Sequence, residues 1–541
     1  MTQSTDVAAE TQAPAAGQAA PDTVPPYSWY ALSVLVLVYV LNFIDRQILS
    51  ILANDIKADF GLSDEYLGFL YGTAFAVFYA LFGIPLGRLA DSWKRLRLMS
   101  FGLALWSMMT ALSGFTKNGT QLTLARVGVG VGEASASPAA YSLISDYFPP
   151  RLRATALSIY SSGLYIGGGL SLLIGGLIVE KWNAAYPGGG PLGLVGWQAA
   201  FVAVGLPGLL LAVWVLTLRE PVRGAMDGIE SKPVEKPFAG FFQELFTVIP
   251  PFTFIGAARR GMGALAVNVA VAASIFAAGY VLTSLLGSGA GRFISAISDQ
   301  WLFLGVGLYS VFCWGTELRG RDAATFKLIW GSPAFLTTVL AYSTVAFMAY
   351  SVSYWGAPYA ERTFDIPKSE LGFWIGGPGA AAGFLGVILG GAIADALQKR
   401  FPSGRVWVIL FGMVMPLPAM LIMFTTDNQP VFYIANFFAG TLAATALGAA
   451  AATTQTLVLP RMRATATATF FIGTTLLGLG LGPYLAGYVS ARNGDDLGIG
   501  VLATIGIVPI GLIAVLAAIK LVPAAIDTMR ERAKAAGEPN L

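Results

Sequence analysis

Gly87-Arg88-Leu89-Ala90-Asp91 and Gly391-Ala392-Ile393-Ala394-Asp395 stand 304 positions apart, each at the end of a long apolar run. Their surroundings repeat with them. Leu67-Gly68-Phe69 returns 304 positions later as Leu371-Gly372-Phe373, and Pro150-Arg151-Leu152-Arg153-Ala154-Thr155 returns 310 later as Pro460-Arg461-Met462-Arg463-Ala464-Thr465. Three matched pieces in register mark a duplicated chain. Duplicated apolar halves facing one another across a midplane site are the architecture of a secondary transporter.

The composition places both halves in a bilayer. With 55% hydrophobic residues, 12% charged residues and a mean hydropathy of +0.67, the 541-residue chain has more apolar surface than a water-soluble fold hides. A hydrocarbon core about 30 Å thick calls for runs of roughly 17 to 25 apolar residues. Fourteen such runs are visible: 29–53, 65–90, 98–116, 121–147, 154–180, 197–218, 261–286, 300–316, 333–356, 370–394, 405–425, 430–459, 464–490 and 497–521. They are long and continuous rather than short and alternating, so they read as helices and not barrel strands.

The runs divide the chain into a disordered tail (1–28), a six-helix bundle (29–218), a linker with two inserted helices (219–332), a second six-helix bundle (333–521) and a C-terminal tail (522–541). The first tail has no Lys or Arg and so lacks the basic segment of a signal peptide. The pair 261–286 and 300–316 has no counterpart in the repeat, and as a pair it leaves the orientation of the second half unchanged; the shorter member could also lie in the interface.

Basic residues set the orientation. With a cytoplasmic N-terminus, the inner loops and C-terminal tail carry 23 Lys and Arg, the outer loops 7, and Arg46, Arg88 and Arg126 lie within helices. Both termini are therefore expected in the cytoplasm. The single Cys313 excludes an intrachain disulfide framework, and no cluster resembles a metal site. Neither cofactor nor metal is expected, and a net charge of +3 gives no reason to expect nucleic acid as a partner.

Four ionisable residues sit inside apolar runs: Asp45 and Arg46 in the first, Arg126 and Glu133 in the fourth. A charge near the bilayer centre costs about 2.5 to 3.5 kcal/mol on insertion scales, so such residues pair or face a wet cavity. Arg126 and Glu133 are two turns apart on one face, about 10 Å along the axis. Asp45 lies about 24 Å from the start of its helix, a depth that permits an Asp45–Arg126 pair with Glu133 deeper. In a chain without histidine, Asp45 and Glu133 are the candidate proton carriers. Arg46 and Arg126 would hold an anionic group or release the carboxylates. A buried ion-pair network that only fixes helix packing is the plain alternative.

The second half has no equivalent. Its corresponding runs are uncharged and supply Tyr350, Ser353, Tyr354, Asn436 and Phe437, an aromatic and weakly polar wall opposite an ionic one. An amphipathic anion suits that cavity, although any one of these aromatics could equally pack or belong to an interfacial belt.

Gly87 to Asp91 followed by Lys94 and Arg95, with its copy at 391–400, resembles the inner-loop signature of the major facilitator superfamily. The resemblance implies that Asp91 with Arg95, and with Asp146, latches the outward-open state, with Asp395 at the matching place; solvated positive loops are the alternative. Leu41-Asn42-Phe43-Ile44-Asp45-Arg46, the stretch Arg126 to Ala134, and Phe148-Pro149-Pro150-Arg151-Leu152-Arg153-Ala154 together resemble the Spinster branch of that superfamily. That resemblance brings Asn42 into the site beside Arg46. It implies proton coupling through Asp45 and Glu133, and a lysophospholipid or sphingolipid-like substrate. Two features depart from the pattern: the inserted pair, and Lys94 where the signature has Gly.

The expected protein is an all-α membrane protein of the major facilitator fold, with two pseudo-symmetric six-helix bundles and two inserted helices. It is expected to be a monomer in a bacterial inner membrane, transporting an amphipathic organic anion with protons by alternating access. A multidrug or small-solute carrier is the nearest alternative. A channel would need a continuous polar lining, a sensor an output domain and an enzyme a catalytic constellation, and none of these is visible.

Overall fold

The computed structural model describes residues 24–538 except 225, 227–234, 288, 290, 294 and 295, and only the backbone at Ala154. The tail expected over 1–28 thus lies, up to residue 23, outside the described residues. Among the described residues the chain is helical, without β-strands.

The first half contains α1 (Pro26–Phe60), α2 (Asp64–Ser92), α3 (Arg95–Ser113), α4 (Gly119–Glu133), α5 (Ala136–Tyr147), α6 (Pro150–Ala185) and α7 (Gly196–Leu216). The run 121–147 is one crossing in two pieces, α4 and α5, which meet at Ala134 and Ser135 directly after Glu133. Between the halves come α8 (Pro237–Val248), α9 (Phe252–Arg259), α10 (Met262–Leu286) and α11 (Asp299–Arg321). The second half contains α12 (Pro333–Phe364), α13 (Lys368–Gln398), α14 (Gly404–Met423), α15 (Gln429–Thr456), α16 (Pro460–Arg492) and α17 (Leu497–Asp527).

Both inserted helices are long and apolar enough to span. At 23 residues α11 is longer than its apolar run, because polar ends flank that run. It packs along α2, while α10 lies outside it with Met262, Val267, Tyr280, Val281 and Leu285 exposed, the surface of a helix facing lipid. The apolar runs gave no sign of α8 and α9. They are short, amphipathic and bent 95° to one another, with α8 laid on α2 and Phe238, Phe242 and Phe246 exposed at i, i+4, i+8 spacing. The C-terminal tail folds back: Arg461 pairs with Glu538 and, at 2.6 Å, with Asp322.

We call the end bearing the loops 92–97, 147–154 and 398–405 the basic face, and the opposite end the distal face. At the distal end the halves meet through glycine. Gly68 and Gly72 of α2 leave room for the backbone of α16 at Pro483 and Leu479, and Gly169, Gly176 and Gly372 do the same where α6 crosses α13. A Cβ at any of these positions would run into backbone, so the crossings depend on its absence. They are the two pseudo-symmetric versions of one contact, and the repeat that holds Gly68 and Gly372 encodes them.

Candidate functional site

Along α1 toward the distal face, polar side chains join the halves in sequence. Gln47 Nε2 donates to Ser353 O and Oγ at 2.9 Å and its Oε1 accepts from Tyr71; Ser50 Oγ donates to Tyr354 O at 2.6 Å; Asn54 Nδ2 donates to Glu361 at 2.8 Å. Beyond them lie charges. The side chain of Asp64 is fully buried at the start of α2 and receives Arg362 on both oxygens, Lys57 at 2.8 Å and Ser490 at 2.7 Å. Lys368 bridges Glu361 at 2.6 Å and Asp55 at 3.1 Å, and Arg492 meets Glu65 at 3.0 Å. The distal side is closed by ion pairs between the halves. None of these residues stood out from the sequence, although Asp64 and Lys368 are themselves 304 apart and so opposite charges at matched positions of the repeat.

Below that seal lies the ionic cluster. Arg46 donates to Glu133 Oε2 through Nη2 at 2.6 Å and Nε at 3.2 Å, and its guanidinium sits among the rings of Phe43, Phe75 and Tyr79 at 4.7, 4.5 and 5.0 Å. The expected Asp45–Arg126 pair is corrected: Arg126 Nη1 donates to the Asp45 backbone oxygen at 3.2 Å, not to its carboxylate. Depth alone cannot tell Asp45 from Arg46. The two residues are neighbours separated by about 100° around the helix, and it is Arg46 that faces Glu133.

Two fully buried nitrogens of Arg126, Nε and Nη2, have no hydrogen-bond partner, while the Asn42 amide stands beside the Glu133 carboxylate and Trp106 and Thr110 stand beside that of Asp45. Unpaired buried groups are costly, and those of Arg126 lie beside the Arg46–Glu133 pair. Tyr354 stacks on Tyr71 at 4.1 Å, its hydroxyl also unpartnered, and Tyr350 stands within electrostatic reach of Arg46. Asn436 and Phe437, on α15, make no contact with this cluster among the described residues; Phe437 packs on Phe438.

On the basic face Arg95 pairs with Asp146 and, at 3.0 Å, with Glu220, whose oxygens also accept the Arg95 and Leu96 amides at the start of α3. Asp91 joins no ion pair among the described residues, which corrects the expected Asp91–Arg95 contact: Asp91 ends α2 while Arg95 turns back to Asp146 and Glu220. The Arg95–Asp146 pair lies wholly within the first half and coexists with a closed distal side. Asp395 pairs with Arg405 at 3.2 Å within the second half. Among the described residues no group of three or more His, Cys, Asp or Glu could hold a metal ion.

The sequence profile described as Major Facilitator Superfamily matches residues 35–316. The chain belongs to the Major Facilitator Superfamily. Within that superfamily of transporters it resembles Spinster. It is 29% identical over 476 residues to an MFS-type efflux pump of Mycolicibacterium smegmatis, covering 88% of this chain and 87% of that one. It is 23% identical to protein spinster of Drosophila melanogaster, covering 85% of this chain and 62% of that one. Among solved structures, it superposes with a TM-score of 0.65 and 27% identity on a bacterial homologue of the human lysosomal transporter Spinster, described as inward-facing and unoccupied; the match covers 95% of this chain and 96% of that one. A superfamily fold with two six-helix halves and an inserted pair is thus what the chain adopts.

Proposed function

We propose that this superfamily member is a proton-coupled, alternating-access transporter of an amphipathic organic anion, and that both termini and the basic face lie in the cytoplasm of a bacterial inner membrane. The excess of Lys and Arg on the basic face supports that orientation. On it, the closed distal side faces outward and the cavity opens inward.

The observation that carries the reading is the Arg46–Glu133 pair. Arg46 is held by one oxygen of Glu133, and the Asn42 amide and two unpartnered nitrogens of Arg126 stand beside that pair. When Glu133 takes a proton it loses its hold on Arg46, and the anionic group of a substrate takes its place. Arg126 then supplies a second cation. Proton and anion thereby bind with linked energies. Asp45, buried beside Arg126, is the second carboxyl whose proton changes the cluster. The apolar and aromatic second half, with Tyr350 and Tyr354, faces the body of the substrate. The pathway is complete in one chain, which supports a monomer.

Two substrate classes follow: the resemblance to Spinster implies a lysolipid or sphingolipid-like anion, and likeness to an MFS-type efflux pump over most of the chain favours a drug or small organic solute.

Uptake into proteoliposomes with an imposed pH gradient tests the coupling. Flux should rise with the gradient, and Glu133→Gln and Asp45→Asn should each abolish that dependence. Flux indifferent to the gradient in the unaltered protein would overturn the reading.

A further inference from the structure

Six tyrosines from both halves face one space on the basic side of the Arg46–Glu133 pair. Tyr39 stands two turns before Arg46 on the same face of α1, about 10 Å nearer the basic end. Tyr79 of α2 lies over Arg46 at 5.0 Å. Tyr39 stacks on Tyr160 of α6 at 4.4 Å with 21° between the rings, and Tyr141 of α5 meets Tyr160 edge-on at 5.7 Å. From the second half, Tyr342 and Tyr350 of α12 complete the set. Tyr350 stands within electrostatic reach of Arg46, Tyr39 and Tyr342, and α12 packs on α1.

These rings are not ordinary core. Tyr79, Tyr342 and Tyr350 are part-exposed and Tyr141 is 37% exposed, although their helices run through the middle of the molecule. Tyr160 is 1% exposed, and its hydroxyl lies beside Ser137. No hydrogen bond ties the hydroxyls of Tyr39, Tyr79, Tyr342 or Tyr350 to another described residue. A cavity made for an alkyl chain is dry and aliphatic, because methylene groups leave hydroxyls desolvated and unpaired. Here the rings offer flat faces for stacking, and their hydroxyls offer donors and acceptors at the rim.

We propose that this tyrosine-lined space binds the body of the transported anion, and that it selects a rigid aromatic body bearing hydroxyl or carbonyl groups over an acyl chain. The inference rests on the anion reading above and narrows it: Arg46 holds the charged end, and the tyrosines recognise the rest. Tyr79 and Tyr350, both part-exposed, are the specificity-determining hydroxyls, one from each half.

Binding to the full chain in nanodiscs tests it with two probes that share a head group, 6-hydroxynaphthalene-2-sulfonate and octane-1-sulfonate. The naphthalene should bind about tenfold more tightly, and Tyr79→Phe and Tyr350→Phe, which keep the ring, should each weaken it about three- to tenfold while leaving the octyl compound unchanged. Equal or tighter binding of octane-1-sulfonate overturns the proposal, as does unaltered naphthalene binding in both variants. Neutral 2,6-dihydroxynaphthalene separates the two readings. If it binds as tightly as the sulfonate, the anion reading fails and the tyrosine site stands; if only octane-1-sulfonate binds, the tyrosine site fails and the anion reading stands.

Discussion

Arg362 of α12 donates to both carboxylate oxygens of Asp64 on α2, at 2.7 and 2.8 Å, and so ties the second half to the first at the distal face. The Asp64 side chain has no exposure to water, and the crossings of α2 with α16 and of α6 with α13 lie on either side of α1 and α12. A buried carboxylate that loses its bidentate partner retains its desolvation cost without the compensating attraction.

Arg362→Ala should therefore loosen the distal seal and favour its open form by about tenfold. Spin labels at Ala58 and Thr363, near the distal ends of α1 and α12, would report a longer, broader distance distribution. A distribution identical to that of the unaltered protein would show that Lys57 and Ser490 alone suffice to hold Asp64.

Glycine at the crossings makes a steric prediction. Gly68→Val puts a branched side chain against the Pro483 backbone, and Gly372→Val does the same against Leu172. Each should hold the distal side ajar, and because the two sites are equivalent under the repeat, their effects on the same label distance should have the same sign. Opposite signs would mean that the two crossings do not close together.

Arg46→Lys keeps the charge and discards the planar group that fits between Phe43, Phe75 and Tyr79. Substrate affinity should fall about tenfold with the pH dependence of uptake still present, since Glu133 would retain a cationic partner. Loss of the pH dependence together with affinity would place Arg46 in proton transfer itself.

The C-terminal tie should be indifferent to mild acid. Burial works against ionisation of Asp322, but hydrogen bonds from Arg461 and Thr325 outweigh it and hold the carboxyl at about 2. A carboxyl lowered on folding contributes stability that is complete above its ordinary range and is lost as pH falls toward that lowered value. Protease cleavage within 528–538 should consequently be slow and constant from about pH 8 down to about pH 5 and should accelerate at all these values in Asp322→Asn. Faster cleavage of the unaltered chain at pH 5 than at pH 8 would refute this.

The repeat made the architecture legible because it preserves what both halves must do alike: end a helix at Asp91 and Asp395, and cross a partner closely at Gly68 and Gly372. The positions of Asp45, Arg46, Arg126 and Glu133 within apolar runs were legible too, since charge in lipid is conspicuous. Their pairing was not, because helical depth fixes height and leaves azimuth open. The seal escaped notice because Asp64, Arg362 and Lys368 sit at helix ends, where charge is ordinary. The tyrosines escaped because each alone reads as packing, and only the fold brings Tyr39, Tyr160 and Tyr350 to one space. Helix α8 lacked signal because, at 12 residues before a sharp bend, it is too short to register as a membrane run.

The inserted pair is fastened unevenly. Helix α11 is packed against α2, while the Leu286 carbonyl at the end of α10 is held by Arg492 and, at 3.2 Å, by Tyr488, both on α16; Ser63 reaches the Gly289 carbonyl at 3.3 Å. The seam between α2 and α16 is one that must part for the distal side to open. The insertion rides on one lip of that seam and grips the other, so each cycle includes an unfastening that the two repeated halves alone would not require.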